Sequence, residues 1–533
     1  MMDVVVRGGT VYDGSGGEPR RAGVGVVGDR IVAVGALDGP EGEARVTIDA
    51  SGRAVSPGFV NILSHSYLSI LHDPRSLGEL TQGVTTEVFG EGSSMGPLTP
   101  AMKAALQDDR DGLSYEVCWS RLAEYLRHVE SRGAAQNVAS FIGAGTLRAN
   151  AVGHDDRPAT PAEVDRMQAL VREEMADGAL GIASALIYPP GSYAPTEELE
   201  AICAAASPYG GVYASHLRSE GAGLLAGVDE FLRICQRAEI KGEVFHLKAS
   251  GRPNWGLMGQ AIETVEAARQ AGRPVTADVY PYTASSTGLT SVIPDRYHEG
   301  GPDRLYDRLS DPATRDQIRR ELAGEPRWAD VTRADDVLVL GVREEPNRAY
   351  QGHTLTEVAE MMGTDPMTAT FDLIASDRSR VSVAFFSMAE DNLRSALARP
   401  WVAVSSDGAS MAPEGVFLRS PTHPRAYGSF ARVLGHYARD EGVLTLTDAV
   451  RRMSGLPAAT LGLRDRGLVQ EGAFADLVVF DPATVSDRAT FADPHQLSVG
   501  VSHVLVNGQV TIAEGAFTGT LAGRALAGPG WRP

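Results

Sequence analysis

The sequence predicts an α/β protein: a (β/α)8 barrel of the TIM type beside a small sheet domain assembled from both chain ends. Three observations carry this. Eight apolar runs of strand length alternate with helix-length runs through the middle of the chain. Short β-rich runs broken by glycine fill both ends. One charged stretch interrupts the alternation late in the middle.

At the N-terminal end, residues 4–7, 10–12, 23–27 and 30–34 read as strands. Gly14-Ser15-Gly16-Gly17 and Gly28-Asp29 supply the turns between them. The barrel strands follow at 55–63, 85–89, 138–142, 180–183, 211–215, 243–247, 274–279 and 401–405. Helical runs stand between them at 161–177, 197–206, 223–237 and 258–271. Residues 290–350 carry Arg304, Arg308, Arg315, Arg319 and Arg320 among acids and form an insertion placed to cap the barrel mouth. The C-terminal strands are 475–480 and 501–506, then 509–512 after an Asn507-Gly508 hairpin turn. The expected division is therefore 1–57, 58–465 with the insertion, and 466–533.

A chain of 533 residues exceeds what one core usually holds, and 43% apolar residues suffice for large cores. With 49 basic against 68 acidic residues, the net charge of −19 repels nucleic acid and anionic lipid. No run of about 18 apolar residues predicts a membrane span, and the N-terminus lacks the basic-then-apolar pattern of a signal peptide. Cys118, Cys203 and Cys235 give no disulfide framework; the last two fall at apolar helix positions and read as core. A cytoplasmic protein acting on a small molecule is expected.

In such a barrel, chemistry collects where strands end. His65 follows the first strand, Glu91 the second, His216 the fifth, His246 the sixth and Asp407 the eighth; His423 sits in a loop beyond. Three imidazoles and two carboxylates at strand ends form a divalent-metal site. Nitrogen and oxygen donors suit zinc, and an open position lowers the pKa of a bound water to about 7. His72, His128, His154, His298, His436, His495 and His503 lie in helical or loop stretches and read as surface groups.

The run Asp3 to Gly14 and the segment Pro57-Gly58-Phe59-Val60-Asn61 resemble metal-dependent amidohydrolases. Ser215-His216-Leu217-Arg218-Ser219-Glu220, Phe245-His246-Leu247-Lys248-Ala249, Tyr280-Pro281-Tyr282 and His423-Pro424-Arg425 narrow the resemblance to the D-aminoacylase (N-acyl-D-amino-acid deacylase) branch. It spans nearly the whole chain. It implies a small β-sandwich formed by both termini and hydrolysis of an amide between an acyl group and an amino acid with a free carboxylate. It implies His216 and His246 as metal ligands and Asp407 as base and further ligand. Lys248, Tyr282 and Arg425 would hold the substrate carboxylate.

Two departures stand out. The family's Asp-x-His-x-His reads Asn61-Ile62-Leu63-Ser64-His65 here, and glycine replaces a family cysteine in Gly90-Glu91-Gly92-Ser93. Glu91 can supply the missing ligand, so one tightly bound zinc is expected rather than two. Two alternatives stand beside this reading. One is hydrolysis of a cyclic amide or imide on the same fold, against which Lys248 and Arg425 argue. The other is a barrel that has lost its metal and only binds.

Overall fold

The computed structural model describes residues 1–37, 43–108, 112–322 and 333–531. Its centre is a ring of eight parallel strands: β1 (Phe59–Asn61), β2 (Val84–Phe89), β3 (Asn137–Ser140), β4 (Gly181–Ala185), β5 (Val212–His216), β6 (Lys241–Val244), β7 (Val275–Val279) and β8 (Val402–Val404). Neighbours pair in parallel from β1 to β3 and from β4 to β8. Loop hydrogen bonds complete the ring. The Leu180 N–H donates to the Ser140 carbonyl at 3.0 Å. At the other seam Asp407 N–H donates to Leu63 O at 3.0 Å and His65 N–H to Gly408 O at 2.9 Å.

These strands are apolar throughout because both of their faces are covered. Val60, Leu63, Val88, Ala139, Ala183 and Phe245 fill the barrel interior. The outward faces join a larger core against helices such as Pro161–Ala176 and Leu224–Arg237. Cys203 and Cys235 lie in that core. Thr160 and Glu163 close a reciprocal capping box on the first of these helices, which fixes where it starts.

The expected strand over 55–63 is two strands. Ala54–Pro57 belongs to a different sheet, and the chain crosses to the barrel at Gly58, whose N–H donates to Asp476 O at 2.8 Å. That other sheet has seven strands and interleaves both chain ends, with Leu477–Phe480 beside Ala54–Pro57. A four-stranded sheet of N-terminal strands faces it across Val6, Val26, Ile31, Val55, Leu477 and Leu505. Asn507 and Gly508 turn the C-terminal hairpin with φ of 48° and 79°, as a type I′ turn requires.

Between β7 and β8 the chain builds a separate core from Leu289 to Phe385 around a three-stranded antiparallel sheet. It reaches beyond residue 350, because the strand Ser382–Phe385 is the central one of that sheet. Residues 323–332 of the expected insertion lie outside the described residues. Among the described residues no helix is long and apolar enough to cross a membrane.

Candidate metal centre

His65, Glu91, His216, His246 and Asp407 converge above the C-terminal ends of the barrel strands. Glu91 is the hub. Its Oε1 lies 3.1 Å from both His216 Nδ1 and His246 Nε2, and its Oε2 lies 3.1 Å from His65 Nε2. His65 Nε2 is also 3.0 Å from Asp407 Oδ1. One carboxylate thus joins two three-residue sets, Glu91–His216–His246 and His65–Glu91–Asp407. In each set one ligand atom per residue lies within 4.8 Å of the others.

Local backbone makes this convergence. Gly90 turns the chain with φ of 113°, and a Cβ there would stand 2.4 Å from the Phe141 carbonyl oxygen. Only glycine permits the turn that swings Glu91 over the barrel mouth. His246 and Asp407 adopt left-handed backbone, with φ of 37° and 48°. For side-chain-bearing residues this costs about 1–3 kcal/mol each and persists only when the surroundings enforce it. Here the His246 N–H donates to Asp278 Oδ1 at 3.1 Å, and the Asp407 N–H is held by the β1 seam. Because β6 stops at Val244, Lys248 reaches the site through this turn and not by strand alternation.

The electrostatics call for a cation. Burial would raise the Glu91 carboxyl, but hydrogen bonds from His216, His246 and His65 outweigh it and hold the group well below the ordinary range. Burial would lower the His65 imidazole, yet hydrogen bonds to Asp407 and Glu91 push it up to about 9. His246 goes to about 10: burial and Lys248 oppose the rise, and Glu220 and Glu91 drive it. Two imidazole nitrogens and a carboxylate oxygen around one point, in a site that stabilises positive charge, fit a divalent metal.

Beneath the centre the polar floor is different. Asn61 donates to Glu79 at 3.0 Å and to Ser406 at 2.7 Å, while Ser64 and Ser76 donate to Glu87 at 2.7 and 2.6 Å. Burial raises both carboxyls, so this network ties β1 to β8 without competing for the metal.

Glu220 belongs to the site and was not among the expected residues. Its Oε1 is 2.5 Å from Lys248 Nζ and 3.1 Å from His246 Nδ1, and its Oε2 is 3.4 Å from His216 Nε2. The nitrogens of both histidines that point away from Glu91 therefore face one buried carboxylate, the arrangement that orients imidazole ligands. The available signal was an acid four residues after His216.

The expected substrate contacts lie as follows. Arg425 donates from Nη1 to Asp407 Oδ2 at 2.6 Å and from Nη2 to Ser286 O at 3.1 Å; it does not pair with Glu414, which meets Arg75. Lys248 also donates to His246 Nδ1 at 2.8 Å. Tyr282 does not line the cavity above the metal centre. Its hydroxyl lies 3.5 Å from Pro424 O, and Tyr280 takes the cavity wall, 4.8 Å beneath the Arg425 guanidinium. Leu63 is buried in the barrel interior. His423 accepts the Arg425 N–H at 3.0 Å and faces Ala284 O at 2.9 Å, with burial holding its ring well below the usual range; it is structural. Three histidines read as surface groups are not: His503 is buried, and His154 and His298 line the cavity.

The amidohydrolase family matches residues 46–512. D-aminoacylase of Alcaligenes xylosoxydans xylosoxydans is 37% identical over 98% of this chain and 97% of its own length. The crystal structure of D-aminoacylase superposes with a TM-score of 0.81 at 35% identity, covering 99% of this chain and 100% of that one. N-acyl-D-glutamate deacylase from Bordetella bronchiseptica, solved with zinc and a phosphonate mimic of the tetrahedral intermediate, gives a TM-score of 0.81 at 32% identity and covers 99% of each chain.

Proposed function

This chain belongs to the amidohydrolase family, and we propose that it is a zinc-dependent hydrolase of the linear amide bond in N-acyl amino acids. The observation that carries the reading is the Glu91 hub: one carboxylate oxygen 3.1 Å from two imidazole nitrogens, with Asp407 across the same carboxylate on His65. One zinc is held tightly by Glu91, His216 and His246, the more buried of the two sets. His65 and Asp407 then border the reacting atoms. When bound, zinc polarises the amide carbonyl and makes a water acidic enough to yield a nucleophile near neutral pH.

The remaining steps fall to side chains. Burial would raise the Asp407 carboxyl, but Arg425 outweighs it and keeps the group below its ordinary value, hence ionised at neutral pH. Asp407 accepts the proton of the attacking water and returns it to the departing amine. His65, 3.0 Å from Asp407 Oδ1, holds that oxygen toward the centre. Lys248 and Arg425 line the cavity and meet the substrate carboxylate, with Tyr280 between them in place of Tyr282. A carboxylate requirement favours a linear N-acyl amino acid over a cyclic imide. The free cysteines fit a reducing, cytoplasmic setting.

Arg425→Ala tests the carboxylate requirement. Because Arg425 also holds Asp407, the variant slows hydrolysis of an N-acyl amino acid and of the matching N-acyl amino-acid amide alike. The acid loses more, and its kcat/KM falls by about 2–5 kcal/mol, the cost of leaving a desolvated charge unpaired. Equal losses on acid and amide would confine Arg425 to holding Asp407 and remove the case for an amino-acid carboxylate.

A further inference from the structure

The cavity that opens on the metal centre continues along a wall supplied by the segment between β7 and β8. Four arginine or lysine side chains line it. Arg218 is paired with Glu230 at 2.8 Å, Lys248 with Glu220 and Arg425 with Asp407. Arg380 has no carboxylate partner among the described residues. Its Nη2 donates to Thr287 Oγ1 at 3.2 Å, and its guanidinium lies 5.5 Å from the centre of the Tyr188 ring. Tyr188 donates to the same Thr287 oxygen at 2.8 Å, so ring and guanidinium are fixed on one anchor.

The backbone around Arg380 is built for this placement. It sits in the turn between the helix Pro366–Asp377 and the strand Ser382–Phe385. Arg378 and Val381 on either side have φ of 45° and 50°, and Val381 is a buried, β-branched residue for which that region is a genuine outlier. Ser379 holds the turn by accepting the Val381 N–H at 3.0 Å. The stem of Arg380 lies against Gly288, where a Cβ would stand 2.8 Å from Arg380 Cβ and 2.9 Å from its Nε. Any side chain at 288 would push the arginine away. Backbone strain of this kind persists where a side chain must be aimed.

Tyr188 also meets His216 edge to face, ring centres 5.4 Å apart. Placed end to end, the two ring contacts put the Arg380 guanidinium no more than about 11 Å from the His216 ring. A substrate anchored at the metal spans that gap with a chain of several atoms. The same walls present Glu91, Glu220, Asp295 and Asp407, in a protein of net charge −19, so an incoming anion is repelled everywhere except where a cation is free.

We propose that Arg380 forms a second anion subsite, which takes a carboxylate carried several bonds from the scissile amide. The substrates of this site are then dianionic N-acyl amino acids. The inference rests on the N-acyl amino acid reading above and specifies its substrate class. The planar guanidinium fork, with one Nη on Thr287, leaves its other donors for the two oxygens of a carboxylate.

The test compares N-acetylglutamate with its neutral isostere N-acetylglutamine, each in both enantiomers, on the zinc-loaded protein and on Arg380→Gln and Arg380→Lys. The wild type favours the dianion in kcat/KM by at least about tenfold. That preference falls at least about tenfold in Arg380→Gln and returns in part in Arg380→Lys. An unchanged preference in Arg380→Gln overturns the subsite. Should the wild type hydrolyse neither compound, the deacylase reading fails, and the subsite is decided by calorimetric binding of glutarate. Binding to the wild type that weakens about tenfold in Arg380→Gln sustains it. Equal affinity, or no binding to the wild type, refutes it.

Discussion

Asp407→Asn lowers kcat by at least about a hundredfold while the bound zinc stays, the range that loss of a general base usually costs. The amide keeps the shape of the side chain and can still face His65 and Arg425, which now lie 3.0 and 2.6 Å from its two oxygens. It cannot accept the proton of the attacking water. Zinc remains because Glu91, His216 and His246 hold it from the other side of the hub. The measurement is kcat together with zinc content at pH 7. Near wild-type turnover would place the base elsewhere, and loss of zinc would make Asp407 chiefly a ligand.

Replacing His216 and His246 together by alanine takes the zinc from about one equivalent to near none, since two of the three donors of the tight set are gone. Both residues stand at the barrel mouth, and the apolar barrel interior beneath them is untouched. Glu91 then loses the two imidazoles that hold its carboxyl down and stands buried with fewer partners. Atomic absorption on the purified double variant, with a melting curve against chelator-treated wild type, reads both points. A folded variant that keeps a full equivalent of zinc would dismiss this ligand set.

Much of the site was legible because a parallel barrel converts position along the chain into position in space. A histidine or acid just past an apolar run falls on the barrel rim whatever its neighbours, and His65, Glu91, His216, His246 and Asp407 meet there for that reason. The strands were legible because burial on both faces demands uninterrupted apolar runs. What escaped depends on contacts between distant segments. Glu220 looks like any loop acid until β5 and β6 bring His216 and His246 to its two oxygens. The pairing of Arg425 with Asp407 likewise follows from the loop after β8 folding back over it. Tyr280 and Tyr282 are two residues apart, and no periodicity says which one faces the cavity once the strand has ended at Val279. The left-handed turn at His246 is equally invisible, because histidine carries no preference that would announce it.

The central claim is that this chain hydrolyses linear N-acyl amino acids with one zinc held by Glu91, His216 and His246. The direct measurement is release of free amino acid from a panel of N-acyl amino acids in both enantiomers. It is made on chelator-stripped protein as zinc is returned in steps. The account predicts no turnover without metal and full turnover at about one equivalent of zinc. Turnover that survives removal of the metal, or a zinc-loaded protein that opens a cyclic imide and leaves every linear N-acyl amino acid intact, would contradict it.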